Sequence, residues 1–249
     1  MDQHIEFVAE IEDNPSFLTV YSDSSLTNRK RKRKTGFGVV GYIQGCKVFR
    51  RSEALGEHVE VYDAKMVGLH AAVEEARRYI TSNETHPKPN NLIFYADNSA
   101  AISKIFEGLH GKAQAHSRAF RKNISKILNK TKRIRIAISW CPGHARIIGN
   151  NKADKLAKSG ALKQPLDPDY KSQAYIAMLH KQELLEAWRH RWTNTPNPPS
   201  SGFQPTNQLP PTLQPTERFR STDQRTFSRL VQCRTGHAHL GEYSSQQKR

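Results

Sequence analysis

The alternation of apolar and polar positions in the first part of the chain predicts an antiparallel sheet. Residues 17–22 form an apolar, β-branched and aromatic run that is typical of a buried strand. Residues 35–43 predict a second strand, whose glycines allow neighbouring backbones to approach closely, and residues 46–52 predict its hairpin partner. The short connections between these runs indicate a meander of three sequential strands.

Helical periodicity replaces this alternation after residue 60. Apolar residues recur at helical spacing over 60–80, with charged residues on the opposite face, which predicts a long amphipathic helix. Further buried strands are predicted at 91–96 and 133–140. Further helices are predicted from a cap at Asp97 or Asn98 to about residue 108, and over 114–130 and 148–159. This order predicts an α/β fold with a mixed five-stranded sheet and flanking helices.

The composition changes after residue 160 and divides the chain into five parts. Helical periodicity returns at 170–192, and proline, serine and threonine then dominate, which is typical of a flexible linker. We expect a partly disordered C-terminal tail. The predicted parts are a leader (1–15), an α/β domain (16–162), a helical extension (163–192), a linker (193–216) and a mixed terminal segment (217–249).

The formal net charge of +16 indicates a polyanionic partner, with nucleic acid first among the candidates. A basic surface that only keeps the protein in solution is the alternative. The basic residues concentrate in an unbroken block from Arg29 to Lys34. Because like charges repel at every spacing, we expect a solvated loop there. This loop could contact phosphates, direct nuclear import, or have no specific partner.

The three cysteines, Cys46, Cys141 and Cys233, are odd in number and widely spaced, which indicates a reducing, intracellular compartment. No apolar run is long enough to cross a bilayer, and residues 1–14 do not have the pattern of a secretory signal. We therefore expect no membrane partner. Nothing in the sequence specifies an oligomer, so we expect a monomer.

Three aspartates are the candidate chemical centre. Asp23 and Asp97 each follow a predicted strand, and Asp154 lies on the last helix of the α/β domain. Taken alone, Asp23 is explained by a turn that its side-chain oxygen caps. Three carboxylates that converge at one sheet edge repel one another unless a cation neutralises them. A pair of Mg²⁺ ions about 4 Å apart would do so, and would activate water for in-line attack on a phosphodiester.

The motifs around these aspartates resemble, in order, those of ribonuclease H type 1. They are Tyr-Ser-Asp-Ser-Ser at 21–25, Asp-Ala-Lys-Met-Val-Gly-Leu at 63–69, Tyr-Ala-Asp-Asn-Ser-Ala-Ala at 95–101 and the run from Trp-Cys-Pro-Gly-His to Ala-Asp at 140–154. The form is similar to the ribonuclease H domain of fungal non-LTR retrotransposons, downstream of a reverse transcriptase. The resemblance covers roughly residues 17–161. It implies Mg²⁺-dependent cleavage of the RNA strand of RNA–DNA hybrids.

The resemblance also implies the roles of individual residues. The metal-binding aspartates would be Asp23, Asp97 and Asp154, and a loop histidine that assists proton transfer and product release would be His144. Nucleic acid would contact residues beside the aspartates and in the basic block, with support from the basic helix at 114–130. These expected contacts are Ser24, Asn98, Ser99, Arg29, Lys30, Arg31 and Lys32.

One position departs from the family pattern. The acid that should directly follow Ala64 is replaced by Lys65, which shares the apolar stripe of its helix and is therefore expected to face the site. An ammonium there would form charge-assisted pairs with Asp23 or Asp97, and would occupy the space that a metal needs. We therefore expect weakened Mg²⁺ binding and impaired cleavage.

Two other acids are candidates to replace the missing one. Asp63 is two residues from Lys65 and so points about 160° away on a helix, and Glu60 precedes the helix. Neither is the favoured substitute. Three hypotheses follow: an impaired endonuclease, a module that binds hybrid or duplex without cutting it, and a decayed retroelement fragment.

The end of the chain also resembles retroelements. Residues 234–237 resemble a segment of that family, and in the family a zinc-knuckle-like stretch follows this segment. The present sequence ends at Arg249 without such a stretch, so we expect a truncated C-terminal segment. Cys233, His237 and His239 are too few and too close for a tetrahedral zinc site, so we expect no zinc.

Overall fold

The computed structural model describes residues 11, 14–29, 32–82, 88–107, 113–131, 133–143, 147–194 and 222–235. The chain divides into two compact units, residues 1–178 and 179–249. Apart from residues 193 and 194, the predicted linker lies outside the described residues. No helix in the ranges just given combines the length and the apolar character that crossing a bilayer requires.

The secondary structure follows the predicted order. In the described part of the chain from Phe17 onward, five strands and four helices come first: β1 (Phe17–Arg29), β2 (Lys32–Ile43), β3 (Cys46–Gly56), α1 (Val61–Thr81), β4 (Asn91–Ala96), α2 (Ser99–Phe106), α3 (Gln114–Lys130), β5 (Arg135–Trp140) and α4 (Ile148–Ala161). Two further helices are α5 (Gln173–Asn194) and α6 (Gln224–Thr235). The last of these helices lies in the terminal segment, for which the sequence analysis predicted no particular secondary structure.

The strands form one mixed sheet in the order β3-β2-β1-β4-β5. The first three strands are antiparallel, whereas β4 and β5 run parallel to β1. This arrangement confirms the predicted five-stranded α/β fold. The predicted meander corresponds to β1–β3, and the helices that precede β4 and β5 allow the chain to return for parallel pairing.

Alternation along the strands gives the sheet two apolar faces. Val20 and Phe94 belong to the core that packs against α1 and α3, whereas Tyr21 and Tyr95 belong to the core that packs against α4. The rings of Tyr21 and Tyr95 stack with centroids 5.0 Å apart. The helices α1 and α3 therefore cover one face of the sheet, and α4 covers the other.

The described part of the basic block is not the loop that charge repulsion predicted. Arg29 and residues 32–34 form the end of a β-ribbon, in which Arg29 pairs with Lys32 and Thr27 pairs with Lys34. The like-charge argument was wrong for two reasons. Successive strand residues point to opposite faces, and neither β3 nor β4 pairs with this end of the ribbon, so water reaches it. Arg33 is further compensated by Glu60, 2.9 Å away.

The strand β5 also differs from the prediction. It begins at Arg135 rather than Arg133 and lies at the edge of the sheet, so it is only partly buried. The side chains of Arg135, Ala137 and Trp140 are exposed. Its clean alternation of apolar and polar residues reflects one covered face and one face open to solvent.

Candidate functional site

Asp23 and Asp97 meet where parallel pairing between β1 and β4 stops. The last pair in that register joins Ser22 to Ala96, so the next residue of each strand is an aspartate. Asp23 does not end its strand as the sequence predicted, because β1 continues and pairs Asp23 with Gly38 of β2. No turn exists there for Asp23 to cap, and its Oδ1 instead accepts a 2.7 Å bond from the backbone N–H of Ser24.

Lys65 lies against both carboxylates. Its Nζ is 2.5 Å from Oδ1 of Asp97 and 3.7 Å from Oδ1 of Asp23. The side chains are largely shielded from water, with 16% of Lys65, 11% of Asp23 and 22% of Asp97 exposed. The helical stripe on α1 therefore directs position 65 into this edge of the sheet, and the ammonium pairs with both acids.

The charges at this edge are only partly balanced. Burial raises the pKa of Asp23 to about 6, and the Asp97 and Asp154 carboxylates add to the increase. Lys65 and the Ser24 N–H oppose it. One ammonium therefore does not fully offset burial and two neighbouring carboxylates, so Asp23 holds a proton more tightly than a carboxyl in water does.

Close packing of α4 onto the sheet brings Asp154 to the same region. A Cβ at Gly38 would lie 2.3 Å from the carbonyl oxygen of Ala153, and a Cβ at Gly149 would lie 2.2 Å from the ring of Tyr21. These glycines let the helix backbone approach the strands closely. Asp154 then acts on the pKa of Asp23, while its own Oδ2 accepts a 2.7 Å bond from Lys158.

The end of β5 positions the backbone around Asp97. The indole Nε1–H of Trp140 donates to the carbonyl oxygen of Asp97 at 3.1 Å, and the N–H of Cys141 donates to Ala96 at 3.0 Å. Asn98 caps α2 by accepting from the N–H of Ala101 at 2.9 Å.

Burial raises the pKa of the Cys141 thiol to about 12, so this cysteine is not a thiolate nucleophile at neutral pH.

The model of the RNase H family matches residues 15–162, which is more than half of the chain. The chain belongs to the RNase H family. A comparison with curated proteins yields no significant match.

Several solved RNase H structures are similar to the first part of the chain. The N-terminal RNase H domain of Rv2228c from Mycobacterium tuberculosis is 16% identical, with a TM-score of 0.44, and the match covers 59% of this chain and 94% of that one. RNase H1 from Halobacterium salinarum is 18% identical, with a TM-score of 0.41 and coverages of 58% and 96%. LC11-RNase H1, isolated from compost by a metagenomic approach and solved with an RNA/DNA hybrid, is 17% identical, with a TM-score of 0.41 and coverages of 58% and 96%.

Neither candidate substitute for the missing acid reaches the site of this RNase H domain. Asp63 is buried on the other side of α1, and its Oδ2 accepts a 3.2 Å bond from the N–H of Ala174 at the start of α5. Glu60 is paired with Arg33 instead. Among the described residues, Lys65 therefore occupies the position that faces Asp23 and Asp97, and no additional carboxylate lies there.

These residues do not fit a pair of Mg²⁺ ions as they stand. With an effective dielectric constant of about 20, unit charges about 4 Å apart interact by about 4 kcal/mol, so a divalent ion at that distance from the ammonium would be repelled by about 8 kcal/mol. A site with a dissociation constant of about 1 mM has a binding free energy of only about 4 kcal/mol. Within the described ranges, no group of three or more histidine, cysteine, aspartate or glutamate side chains is arranged to hold a metal ion.

The remaining expected contacts divide into described and undescribed residues. The hydroxyl of Ser24 donates to the carbonyl oxygen of Val61 at 3.5 Å, and Ser99 is exposed at the first position of α2. His144, Lys30, Arg31, His237 and His239 lie outside the described residues, as do the side chains of Arg29, Lys32 and Cys233.

Sequence reasoning missed two contacts of this site. The Asp154–Lys158 pair has the i, i+4 spacing at which helix side chains meet, so it could have been found. The indole bond from Trp140 to the Asp97 carbonyl joins two strand ends that are 43 residues apart, and no local pattern reports it.

Proposed function

We propose that this RNase H domain binds RNA–DNA hybrid and that Lys65 impairs the Mg²⁺-dependent cleavage typical of its family. The observation that carries the proposal is the position of the Lys65 ammonium, 2.5 Å from Asp97 and 3.7 Å from Asp23. Asp23, Asp97 and Asp154 would be the metal ligands, and His144 would assist proton transfer. Cleavage is expected to be slow because the ammonium competes with metal ions for the same oxygens.

Nucleic acid is the partner that the charge distribution supports. The chain carries a net charge of +16, and α3 contains several basic residues and no acidic one. Arg118, Lys122 and Lys126 are exposed on that helix. Such a surface binds phosphates without reading the base sequence, and RNA–DNA hybrids are distinguished by shape and by 2′-hydroxyls. Ser24, Asn98 and Ser99 are the proposed contacts beside the aspartates.

A second candidate function is binding without cleavage. The same contact favours it, because a lysine that partly offsets the charges of Asp23 and Asp97 stabilises this edge of the sheet without a metal and leaves the basic surfaces intact. The two candidates differ only in whether any hydrolysis remains.

A hybrid-cleavage assay separates these candidates. The unmodified chain, Lys65→Glu and the control Lys181→Glu are incubated with an end-labelled RNA–DNA hybrid at several Mg²⁺ concentrations. Lys181→Glu makes the same change of charge on the exposed part of α5. We expect tight hybrid binding by the unmodified chain and the control, with at least about 100-fold faster cleavage by Lys65→Glu, equivalent to about 2.7 kcal/mol in the barrier. Rapid cleavage by the unmodified chain would contradict impairment.

The biological context is a further part of the proposal. The motif resemblance supports an origin in a retrotransposon polyprotein, where a reverse transcriptase precedes the RNase H domain. A reverse-transcriptase reading frame upstream in the genome would test that origin. The basic block supports nuclear import, which imaging of a fluorescent fusion with and without Arg29–Lys34 would test.

A further inference from the structure

A basic groove lies between β3 and α4, on the sheet face opposite α1 and α3. Its volume is about 320 Å³, and its lining residues are Arg50, Arg51, Ser52, Leu156, Ser159 and Lys163. We call this feature the β3–α4 groove. None of these residues belongs to the motifs around the aspartates, and none was predicted to contact nucleic acid.

Hydrogen bonds fix the floor of the groove. The Ser52 hydroxyl donates to the carbonyl oxygen of Leu156 at 2.7 Å and lies 3.3 Å from the Ser159 hydroxyl. The ammonium of Lys163 donates to the Ser52 carbonyl oxygen. These contacts join β3 to the C-terminal turn of α4 and to the chain that follows it, so the groove is part of the folded unit.

Strand alternation directs Arg50 into this groove. Arg51 also borders the groove, but its guanidinium turns to the opposite face of the sheet, where it pairs with Glu53 at 2.7 Å and with Glu74 at 3.0 Å. Arg50 pairs in register with Val40, whose side chain belongs to the core under α4. The Arg50 side chain is therefore on the same side of the sheet as α4 and is exposed.

Uncompensated positive charge surrounds the groove. The helix α4 contains three lysines and one aspartate, and that aspartate is paired with Lys158. Arg50 lines the groove, and Lys152 and Lys155 lie one helical turn before the lining residues Leu156 and Ser159. All three are exposed and form no ion pair with any described residue. Cations at a helix C-terminus are stabilised by the helix dipole, which explains Lys158. That effect does not explain Arg50 on a strand or Lys152 in the first half of the helix.

We propose that the β3–α4 groove binds the sugar-phosphate backbone of a nucleic acid, as a second contact surface separate from the edge that holds Asp23 and Asp97. Exposed ammonium and guanidinium groups bind phosphates and carry no means of reading bases. The hydroxyls of Ser52 and Ser159 both donate to the Leu156 carbonyl oxygen, so they shape the groove and leave phosphate binding to the cationic side chains. Lys152 and Asp154 are two residues apart on α4, so they project from different sides of the helix. A bound strand in the groove would therefore leave the aspartate edge accessible.

Salt-dependent binding tests this surface with the full chain. Fluorescence anisotropy of a labelled RNA–DNA hybrid and of a labelled DNA duplex is measured over a series of KCl concentrations. The groove variant carries Arg50→Ala, Lys152→Ala and Lys155→Ala. The comparison variant carries Arg118→Ala, Lys122→Ala and Lys126→Ala, which removes the same charge from the proposed hybrid-binding surface of α3 on the other face.

We expect the groove variant to bind both nucleic acids at least about ten-fold more weakly at moderate salt. The slope of log K against log salt concentration should fall by about 2 to 3, because each phosphate contact releases about one counterion. Unchanged far-UV circular dichroism confirms that the variant is folded.

The two variants distinguish this inference from the proposed function. Loss of binding in the α3 variant together with an unchanged affinity and slope in the groove variant would support hybrid binding and overturn the groove. Loss in the groove variant but not in the α3 variant would support the groove and count against α3 as the hybrid-binding surface. A groove variant that loses only its affinity for polyglutamate would reassign the groove to an acidic protein.

Discussion

Lys65 and Lys158 each pair with an aspartate of the same site, but in different surroundings. The Lys65 side chain is 16% exposed and contacts Asp97 and Asp23, whereas the Lys158 side chain is 56% exposed and contacts only Asp154, four residues earlier on its helix. Water screens the second pair, which exchanges easily with solvent or with a metal ion. The first pair is shielded, so its ammonium is a fixed part of the site. The same two residue types therefore give a structural ion triad in one place and a weak surface pair in the other.

The largest expected effect is the loss of the Lys65 charge. The substitution Lys65→Met keeps most of the side-chain volume but leaves Asp23 and Asp97 without their ammonium. Removing one partner of a shielded ion pair costs about 3 kcal/mol or more. We therefore expect the free energy of unfolding, measured in urea without divalent ions, to fall by about that amount. Millimolar Mg²⁺ should recover only about 0.4 kcal/mol of it, because a ligand near a dissociation constant of about 1 mM stabilises the fold by about RT ln 2. A stability equal to that of the unmodified chain would show that Lys65 does not balance the acids.

The next effect is the removal of Asp97. We expect Asp97→Ala to lower the free energy of unfolding by about 2 kcal/mol, because the closest partner of Lys65 disappears while Asp23 remains 3.7 Å away. Urea unfolding measures this. The control Asp154→Ala should cost clearly less, because its lysine partner stays solvated. Equal losses in both variants would remove the contrast between the two pairs.

The pKa of Asp23 gives a pH-dependent prediction. Because the pKa is raised from 3.8 in the unfolded chain to about 6, the folded state holds a proton more tightly. The ionised carboxylate therefore destabilises the fold above pH 6, and this cost is absent below pH 4. We expect Asp23→Asn to be more stable than the unmodified chain by about 2 kcal/mol at pH 7.5. The difference should shrink towards zero as the pH falls to 4, as thermal unfolding over this range would reveal.

The smallest effect should come from Lys158. An exposed i, i+4 pair contributes about 0.3 to 0.5 kcal/mol, so Lys158→Ala should change the free energy of unfolding by no more than about 0.5 kcal/mol. High salt should erase even that difference, because exposed charges are screened. A loss of 2 kcal/mol or more would mean that Lys158 stabilises the site in the way proposed for Lys65.

The orientation of Lys65 could be predicted because it depends on local geometry. A helix has a fixed period, and the apolar stripe identifies the buried face, so the side of the helix that carries position 65 follows from the sequence alone. The mixed sheet was also predictable, because the strands and helices alternate in an order that permits few arrangements. The basic β-ribbon was not, because repulsion between adjacent residues says nothing about side chains that alternate between two faces.

The surroundings of Asp63 show why the rest could not be predicted. Its carboxylate accepts a bond from the backbone N–H of Ala174, 111 residues later in the chain. A second contact of the same segment is the bond from the backbone N–H of Ser172 to the His58 carbonyl oxygen at 3.0 Å. Such contacts depend on how distant segments pack. The close approach of α4 at Gly38 and Gly149 could not be predicted for the same reason. A glycine in the sequence shows that a position has no side chain, but it does not show which element packs there.

The most direct test of the account is a calorimetric titration of Mg²⁺ into the unmodified chain and Lys65→Glu at pH 7.5. The variant replaces the ammonium with a carboxylate, which changes the charge at position 65 by two units. We expect binding to the variant with a dissociation constant on the order of 1 mM, and no measurable binding to the unmodified chain, because a repulsion of about 8 kcal/mol lowers the affinity by more than about 10⁵-fold. Equal affinity of the two proteins for Mg²⁺ would contradict the claim that Lys65 excludes metal from Asp23 and Asp97.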